Sequence, residues 1–353
     1  MTDAIRIDGA QQSGSGTIVR FAVALACLLR RPLHVVNARV RRAQPGLRPQ
    51  HVAAVRACTE LCGARASGLQ VGSREFTLEP GPRIRGGSCA WDIGTAGSAT
   101  MFALALLPVA AFAETFLEAR ITGGVFQDFA PSPFHMQHVL VPILARMGIG
   151  AELRLVRAGY VPLGAGVVEL RVRPVERSIA ALVLDEPGRV GGVAGLAFAS
   201  HLAARGVSER MARACEEQLA RAGLASRIDR VEDEQALHAG AGLATWAETT
   251  TGCRLGSDRA GAVRRSSEAI GRFVAQRLLE DLSTGATVDR HLADQLVLFA
   301  AVAAGVTRYR VPRETEHLAS NLWLAERFGA KTRRSGRVVE IEGIAIRRHP
   351  ARS

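Results

Sequence analysis

The hydrophobic pattern of the chain returns to one plan three times. Each copy starts after a polar or Gly/Ser loop, with an apolar helix and then a strand, as in "IVRFAVALACLLRRPLHVVNARV". An amphipathic helix follows, with apolar residues near i, i+3, i+4 and i+7, and it stops at Gly63, Gly148 or Gly329. Alternating or β-branched strands come after these glycines. The pattern predicts three copies of one helix-and-strand unit.

The third copy is separated from the other two. The first copies occupy roughly residues 5–80 and 90–170, and a segment with its own strand–helix–strand–strand pattern precedes the third. We therefore predict an α+β fold. A large domain of repeated units would comprise residues 1–177 and 284–353, and a small inserted α/β domain would comprise residues 178–283.

Composition sets bounds on this picture. With 353 residues, 48% of them hydrophobic, the chain can form one large or two ordinary domains. Its longest mainly apolar run, Ala99 to Ala113, contains Pro108 and is too short to span a bilayer, so we expect a buried helix and no membrane association. The N-terminus lacks the apolar run of a signal peptide, and the cysteines are scattered. A cytoplasmic location is expected.

Charge narrows the choice of partners. The net charge is +12, from 45 basic and 33 acidic residues, and Lys331 is the single lysine. This excess of arginine favours a polyanionic partner, although a soluble enzyme with a basic surface would also fit.

The loop "DGAQQSGSGTIVR" lies between a predicted strand and the first apolar helix. Backbone N–H groups at such a helix N-terminus suit an anion. A Walker A loop would have a lysine after Gly16, where Thr17 stands, and the glycine spacing does not match a dinucleotide site. The loop is either an anion cradle, with Arg20 one turn into the helix, or a tight turn.

Three other places carry candidate chemistry. Arginines crowd the stretch "NARVRRAQPGLRPQH", which is either a phosphate site or a solvated basic loop. His317 lies at a predicted helix start, where an imidazole tends to stay neutral, and Asn321 follows it at i+4. Asp294 and Gln295 begin the third apolar helix, where they could orient an imidazole or hold a metal-bound nucleotide, or simply cap the helix.

Together these stretches resemble the RNA 3′-terminal phosphate cyclase family. The matching motifs, in family order, are "DGAQQSGSGTIVR", "RVRRAQPGLRPQH", "TELCGA", "IGTAGSAT", "AGYVPLGAGVVEL", "HLADQLVL" and "EHLASN". The resemblance implies three repeated βαβαββ-type units and a small inserted domain. It also implies ATP as cofactor, a divalent metal (Mg²⁺ or Mn²⁺), and RNA with a 3′-phosphate end as partner.

The resemblance also implies a mechanism. A histidine attacks the α-phosphate of ATP, carries AMP and passes it to an RNA 3′-phosphate, which closes to a 2′,3′-cyclic phosphate. By position, His317 matches that catalytic histidine. The nucleotide- and phosphate-binding positions of the family fall on Arg20, Arg39, Arg42, Gln50, Pro131, His291, Asp294, Gln295 and Asn321.

Two positions depart from the family pattern. Ser13 stands where the family usually has a metal-binding glutamate, and Leu104 stands where it usually has a glutamine. The alternative is therefore a catalytically altered, cyclase-like protein that binds RNA without cyclising it, but the retention of His317 favours the enzyme. An enolpyruvyl-type transferase would share the repeated units, yet it would need lysines in its anion site. The sequence is compatible with a homodimer and does not decide the oligomeric state.

Overall fold

The computed structural model describes residues 4–348 of the chain. Over these residues the strands form four sheets of four strands each, and helices pack against them. Three of the sheets share one strand order and one set of strand directions. The predicted α+β class is confirmed.

The first unit follows the hydrophobic pattern closely. Strand β1 runs parallel to β2, and the remaining neighbours in the order β1-β2-β4-β3 are antiparallel. Helix α2 begins with a proline and ends at Gly63, whose φ of +56° suits a residue without a side chain. The elements are β1 (Ile5–Asp8), α1 (Gly16–Leu29), β2 (Leu33–Val36), α2 (Pro49–Cys62), β3 (Arg65–Ser67) and β4 (Phe76–Glu79).

The second unit repeats this topology with the order β5-β6-β8-β7. Its first helix is the predicted apolar one, and it is buried along almost its whole length. The elements are β5 (Gly87–Asp92), α3 (Ala99–Ala111), β6 (Leu117–Gly123), α4 (Pro133–His135), a π-helical turn (Met136–Leu140), α5 (Val141–Arg146), β7 (Gly150–Arg157) and β8 (Gly166–Arg173).

The third unit is interrupted after its first strand, β9 (Val183–Leu184). The inserted segment then forms its own sheet, in the order β11-β10-β12-β13, with α6 and α7 packed on it. The inserted elements are β10 (Val190–Ser200), α6 (Val207–Arg221), β11 (Ser226–Asp233), β12 (Gly240–Thr249), β13 (Arg254–Ala260) and α7 (Ser267–Leu282).

The chain then completes the third unit with the order β15-β16-β14-β9. Since β9 pairs with β14, the inserted segment starts after Leu184 and not at residue 178, as the sequence had suggested. A two-residue strand is too short to give a clear periodic signal. The elements are α8 (Leu292–Val302), β14 (Val306–Arg310), α9 (Glu316–Arg327), β15 (Lys331–Ser335) and β16 (Val338–Glu342).

The apolar helices join the units. Helix α1 contacts α2, α3 and α9, while α8 contacts α9 and α3, so side chains from all three units share one hydrophobic core. No helix within residues 4–348 has both the length and the apolar character needed to cross a membrane.

The motif "AGYVPLGAG" joins the second unit to the inserted segment. The Tyr160 ring stacks on Phe126 at a centroid distance of 5.4 Å, and its hydroxyl lies 2.7 Å from Ser200 Oγ. A Cβ at Gly240 would come within 2.2 Å of the same ring, so only glycine fits there. The motif therefore has an interface role.

Candidate active site

A cavity of about 520 Å³ lies where four helices begin. Its lining includes the N-terminal turns of α1, α2, α8 and α9, so several backbone dipoles direct partial positive charge into one space. The predicted site residues that line it are Arg20, Arg39, Arg42, Gln50, Pro131, His291, Asp294, Gln295 and His317.

Arg20 is a deeply buried cation of the cavity. Its side chain projects from the first turns of α1, and the residue is only 6% exposed. Burial, followed by repulsion from Arg39, lowers the pKa of Arg20 to about 10, so the guanidinium stays charged at neutral pH. Its Nε has no hydrogen-bond partner among the described residues, although it is buried. A buried cationic donor of this kind fits an anionic ligand.

The arginines of the loop before α2 have two different roles. Arg39 has a φ of +56°, and its guanidinium donates to the carbonyl oxygens of Gln44 and Gly46 at 2.9 and 2.7 Å. Burial and the neighbouring Arg42 lower the pKa of Arg39, which faces the cavity with Arg42. Arg41 instead braces the first loop, because its guanidinium donates to the Gln12 carbonyl oxygen at 2.7 Å.

His317 lies in the first turn of α9. The hydroxyl of Thr315 caps this helix by accepting from the Leu318 N–H at 3.1 Å. Burial, followed by the positive charges of Arg42 and Arg20, lowers the pKa of His317. The imidazole is therefore neutral at pH 7, and a neutral ring has the free lone pair that a nucleophile needs.

Asp294, one of the acidic residues that line the cavity, is a weak acid. Burial, followed by the negative charge of Asp289, raises the pKa of Asp294 to about 8. At neutral pH this carboxyl is mostly protonated, so it adds little negative charge to the cavity. Gln295 is 3% exposed, and its Oε1 lacks a hydrogen-bond partner among the described residues.

Asn321 does not line the cavity. It is buried between helices, and its amide donates to the Asp294 carbonyl oxygen at 2.9 Å. The structure thus gives Asn321 a bracing contact between α9 and α8 and no place in the cavity wall. Gln50 does line the wall, and its Oε1 accepts from the Ser98 N–H at 2.9 Å, at the start of α3.

Two further histidines, His51 and His135, lie at the site. His51 Nδ1 accepts from the Arg48 N–H at 3.0 Å, which places the proton on Nε2. A Cβ at Gly16 would lie 2.0 Å from that Nε2, so the ring sits directly against the start of α1. Burial and Arg20 lower the pKa of His51 well below its usual value. The second histidine, His135, lines the cavity too.

His135 pairs with Asp289 in the protein interior. The His135 Nε2 lies 3.1 Å from Asp289 Oδ2, which also accepts from the Gly256 N–H at 2.9 Å. The other oxygen, Oδ1, accepts from the N–H groups of His291 and Leu292, both at 2.8 Å. Asp289 thus ties α4, β13 and the start of α8 together. Its identity as a junction depends on tertiary contacts, so the sequence pattern gave no signal for it.

The inserted segment forms one side of the cavity, which we call the insert wall: Asp258, Arg259, Phe273 and Arg277. The guanidinium carbons of Arg259 and Arg277 lie 4.4 and 5.1 Å from the centre of the Phe273 ring. Such cation–π pairs fix arginines beside an aromatic surface. The repeated units supply other lining residues, and we call four of these the unit wall: Arg20, His51, Asp294 and His317.

A less polar part of the cavity contains Pro131 and Leu104. Thr100 Oγ1 donates to the Pro131 carbonyl oxygen at 2.7 Å, which fixes the loop before α4. Leu104 is buried in α3 and offers only an apolar surface where an amide had been expected from the resemblance. His291 reaches solvent through the cavity, and the protein packed around it lowers the pKa of its imidazole. These surfaces could hold a flat ring.

The residues around Ser13 do not fit a protein-held divalent metal. Ser13 Oγ lies 3.1 Å from Ser15 Oγ and 2.8 Å from Ser320 Oγ, so it links the first loop to α9. Hydroxyls are weaker Mg²⁺ ligands than carboxylates. Among residues 4–348, no three His, Cys, Asp or Glu side chains are grouped as a metal site. The metal expected from the resemblance stays a prediction.

A solved structure shares only a weak overall likeness with this fold. The enolpyruvyl transferase NikO from Streptomyces tendae aligns with 99% of this chain and 50% of its own, at a TM-score of 0.41 and 12% identity. This similarity is too low to indicate a shared activity.

Sequence comparison is far more specific. The family model described as RNA 3′-terminal phosphate cyclase matches residues 11–333. A protein of that name from Pyrococcus furiosus is 38% identical over 340 residues, covering 96% of this chain and 95% of its own. Its namesake from Pyrobaculum aerophilum is 35% identical over 350 residues, covering 98% and 100%. The one from Hyperthermus butylicus is 40% identical over 324 residues, covering 90% and 89%. With matches over nearly its whole length, this chain belongs to the RNA 3′-terminal phosphate cyclase family.

Proposed function

We propose that this protein is an ATP-dependent RNA 3′-phosphate cyclase. The observation that carries the proposal is the cavity itself, in which a neutral His317 lies among Arg20, Arg39, Arg42 and converging helix N-termini. A neutral nucleophile surrounded by fixed positive charge suits attack on a phosphate, because charge develops on the phosphate oxygens during transfer.

The first step transfers AMP to the enzyme. The lone pair of a His317 ring nitrogen forms a bond to the α-phosphorus of ATP, the bond to the β-phosphate oxygen breaks, and pyrophosphate leaves. Arg20 and Arg39 hold the phosphate oxygens, and the protonated Asp294 avoids repelling them. Pro131 and His291 pack the adenine between them.

The next steps act on RNA. An oxygen of the RNA 3′-phosphate attacks the phosphorus held by His317, so the nitrogen–phosphorus bond breaks and an AMP-capped RNA end forms. The adjacent 2′-hydroxyl then attacks the 3′-phosphorus and loses its proton to solvent. The bond from this phosphorus to the bridging oxygen breaks, AMP leaves with that oxygen, and a 2′,3′-cyclic phosphate remains. No step of this scheme runs through a protein-held metal.

A second candidate is a cyclase-like RNA-binding protein without this chemistry. The departures at Ser13 and Leu104 are the observations that favour it, because neither side chain can supply the group that the family usually has there. It differs from the first candidate in one measurable respect, which is the absence of a covalent nucleotide.

Labelling with ATP separates the two candidates. Purified protein is incubated with α-labelled ATP and Mg²⁺ or Mn²⁺, beside His317→Ala and, as a matched control, His238→Ala, since His238 is exposed in the inserted segment. We expect acid-labile label on wild type and on the control but not on His317→Ala. A folded wild type that takes no label with either metal would refute the enzymatic proposal.

A further inference from the structure

Phe129 is displayed at the lip of the cavity. Its residue exposure is 103%, so its ring contributes nothing to the core, and its φ is +66°. A bulky residue in this left-handed region is unfavourable, and it persists only where the surroundings hold the backbone. This combination is unusual for a residue that also lines a functional cavity.

The segment around Phe129 is anchored on both sides. The preceding Asp128 accepts two hydrogen bonds from Arg265, at 3.0 and 2.8 Å, and lies 3.4 Å from Arg259. On the other side, the Ser132 N–H donates to Asp258 at 2.6 Å. The exposure of Phe129 is therefore not that of a loose loop, because its neighbours are bonded to the inserted segment.

Three arginines line the same cavity as this ring. Arg259, which lies 3.4 Å from Asp128, and Arg277 belong to the insert wall, and Arg313 is the third. The carboxylate next to Arg313 in sequence, Glu314, forms its ion pair with Arg334 and not with Arg313. An exposed aromatic face and guanidinium groups on one cavity match a nucleic acid strand, whose bases stack and whose phosphates are anionic.

We propose that Phe129 is a stacking platform for an unpaired base of single-stranded RNA, close to its 3′-phosphate. This inference rests on the proposed function, since it supplies a place for the RNA beside the nucleotide site. The adenine of ATP has its own surface at Pro131 and His291, so the fully exposed ring at the lip serves the polynucleotide. Because every base has a π-face, stacking on Phe129 tolerates different sequences but requires an unpaired end.

The test measures RNA affinity directly. Fluorescence anisotropy gives the Kd of a short single-stranded RNA with a 3′-phosphate for wild type, Phe129→Ala and Phe129→Trp. Val263→Ala is the matched control, since Val263 is 93% exposed on the neighbouring loop but has no ring. We expect Phe129→Ala to raise the Kd by about 5- to 100-fold, Phe129→Trp to stay near wild type, and the control to change it less than about twofold.

An abasic scan locates the stacked base. Removing the base at one position near the 3′ end should weaken binding to wild type, and the same change should have no effect on Phe129→Ala. If Phe129→Ala binds RNA within twofold of wild type, or if wild type does not bind this RNA, the inference is wrong.

ATP labelling keeps the two proposals distinguishable. If Phe129→Ala loses most of its label from α-labelled ATP, the ring belongs to the nucleotide site and the assignment to RNA is overturned. If wild type takes no label but still binds RNA through Phe129, the enzymatic proposal fails while the stacking site stands.

Discussion

The unit wall and the insert wall meet the same cavity with different chemistry. The unit wall places a buried Arg20 and a neutral His317 at helix N-termini, where fixed dipoles and charges point inward. The insert wall instead presents half-buried arginines on the face of Phe273, beside the exposed Phe129. Buried and preorganised groups suit bond making, whereas exposed aromatic and cationic groups suit a long flexible polymer.

Replacing Asp289 should disturb both walls, because its carboxylate bonds His135, Gly256 and the start of α8. Asp289→Asn leaves a buried charge pair broken, and we expect the free energy of unfolding to fall by about 3–5 kcal/mol. Denaturant unfolding measures this change. Asp229→Asn is the control, since Asp229 lies in an exposed pair with Arg227, and its loss should cost less than about 1 kcal/mol.

The pH range of that stabilisation follows from both partners. Burial of Asp289 raises its pKa, but the positive charge of His135 outweighs this effect and lowers the pKa to about 2. The carboxylate therefore stabilises the fold above its unfolded pKa, and this stabilisation is lost as the pH falls towards 2. Burial of His135 lowers its pKa, but the negative charge of Asp289 outweighs this effect and raises the pKa. The contribution of the imidazolium to stability is complete below pH 6.5, and it is lost as the pH rises through the raised pKa. The difference between wild type and Asp289→Asn should therefore be largest between about pH 4 and 6.5. An equal difference at every pH would contradict this.

Arg20→Met should distinguish most clearly between the roles of the two walls. It removes the buried positive charge from the unit wall and keeps an unbranched apolar chain. We expect the rate of His317 labelling by ATP to fall by about 10²- to 10³-fold, as for loss of one fixed donor to a developing anion. RNA affinity should change far less. Arg56→Met, at an exposed position on α2, is the control and should label as wild type does.

Asp128→Asn should weaken RNA binding at the segment that carries Phe129. The substitution loosens the ion pair between Asp128 and Arg265, which holds the segment that carries Phe129. This ion pair is partly exposed and is worth about 1 kcal/mol. The Kd for single-stranded RNA should rise about fivefold, more than the labelling rate changes. Asp185→Asn removes a comparable pair with Arg308, a residue of the third sheet, and should leave the Kd within twofold. Equal losses in both variants would argue against a special role for this anchor.

Arg42→Gln should have the smallest effect. After burial, Arg42 is the main charge that lowers the pKa of His317, so its removal lets the ring protonate at higher pH. At saturating ATP, the acid limb of the labelling rate should move to higher pH, and the rate at pH 8 should fall less than it does in Arg20→Met, because Arg20 and Arg39 remain. Glu316→Gln is the opposing control: the Glu316 charge raises the pKa of His317, and its loss should move the limb to lower pH.

Local sequence patterns predicted the elements well, and the α+β class is confirmed. The helix ends at Gly63 and Gly329 lie within a residue or two of the predicted stops, because left-handed C-cap glycines have a local signature. The start of the inserted segment was misplaced, because β9 is recognisable only by its pairing with β14.

The site was less accessible from sequence. Charge and helix-start rules suggested the cavity-lining arginines and His317, and the family resemblance supplied the remaining candidates. Phe129 and Asp289 gave no such signal. The exposure of Phe129 and the contacts of Asp289 with His135 and Gly256 depend on chain segments that are far apart in sequence. The roles assigned to the site residues stay predictions until the variants are measured.

The interruption of the third unit also sets an order for chain folding during synthesis. The Leu182 N–H donates to Thr307 Oγ1 across 125 residues, so this sheet cannot close until the entire insertion has been made. Loop closure over so long a segment is slow unless the insertion has already folded and drawn its ends together. Since domains fold as they emerge from the ribosome, N-terminal units first, the arginines of the first unit are in place before α9 arrives. His317 is thus among the last site residues to be positioned, and a chain that ends before α9 lacks the proposed nucleophile.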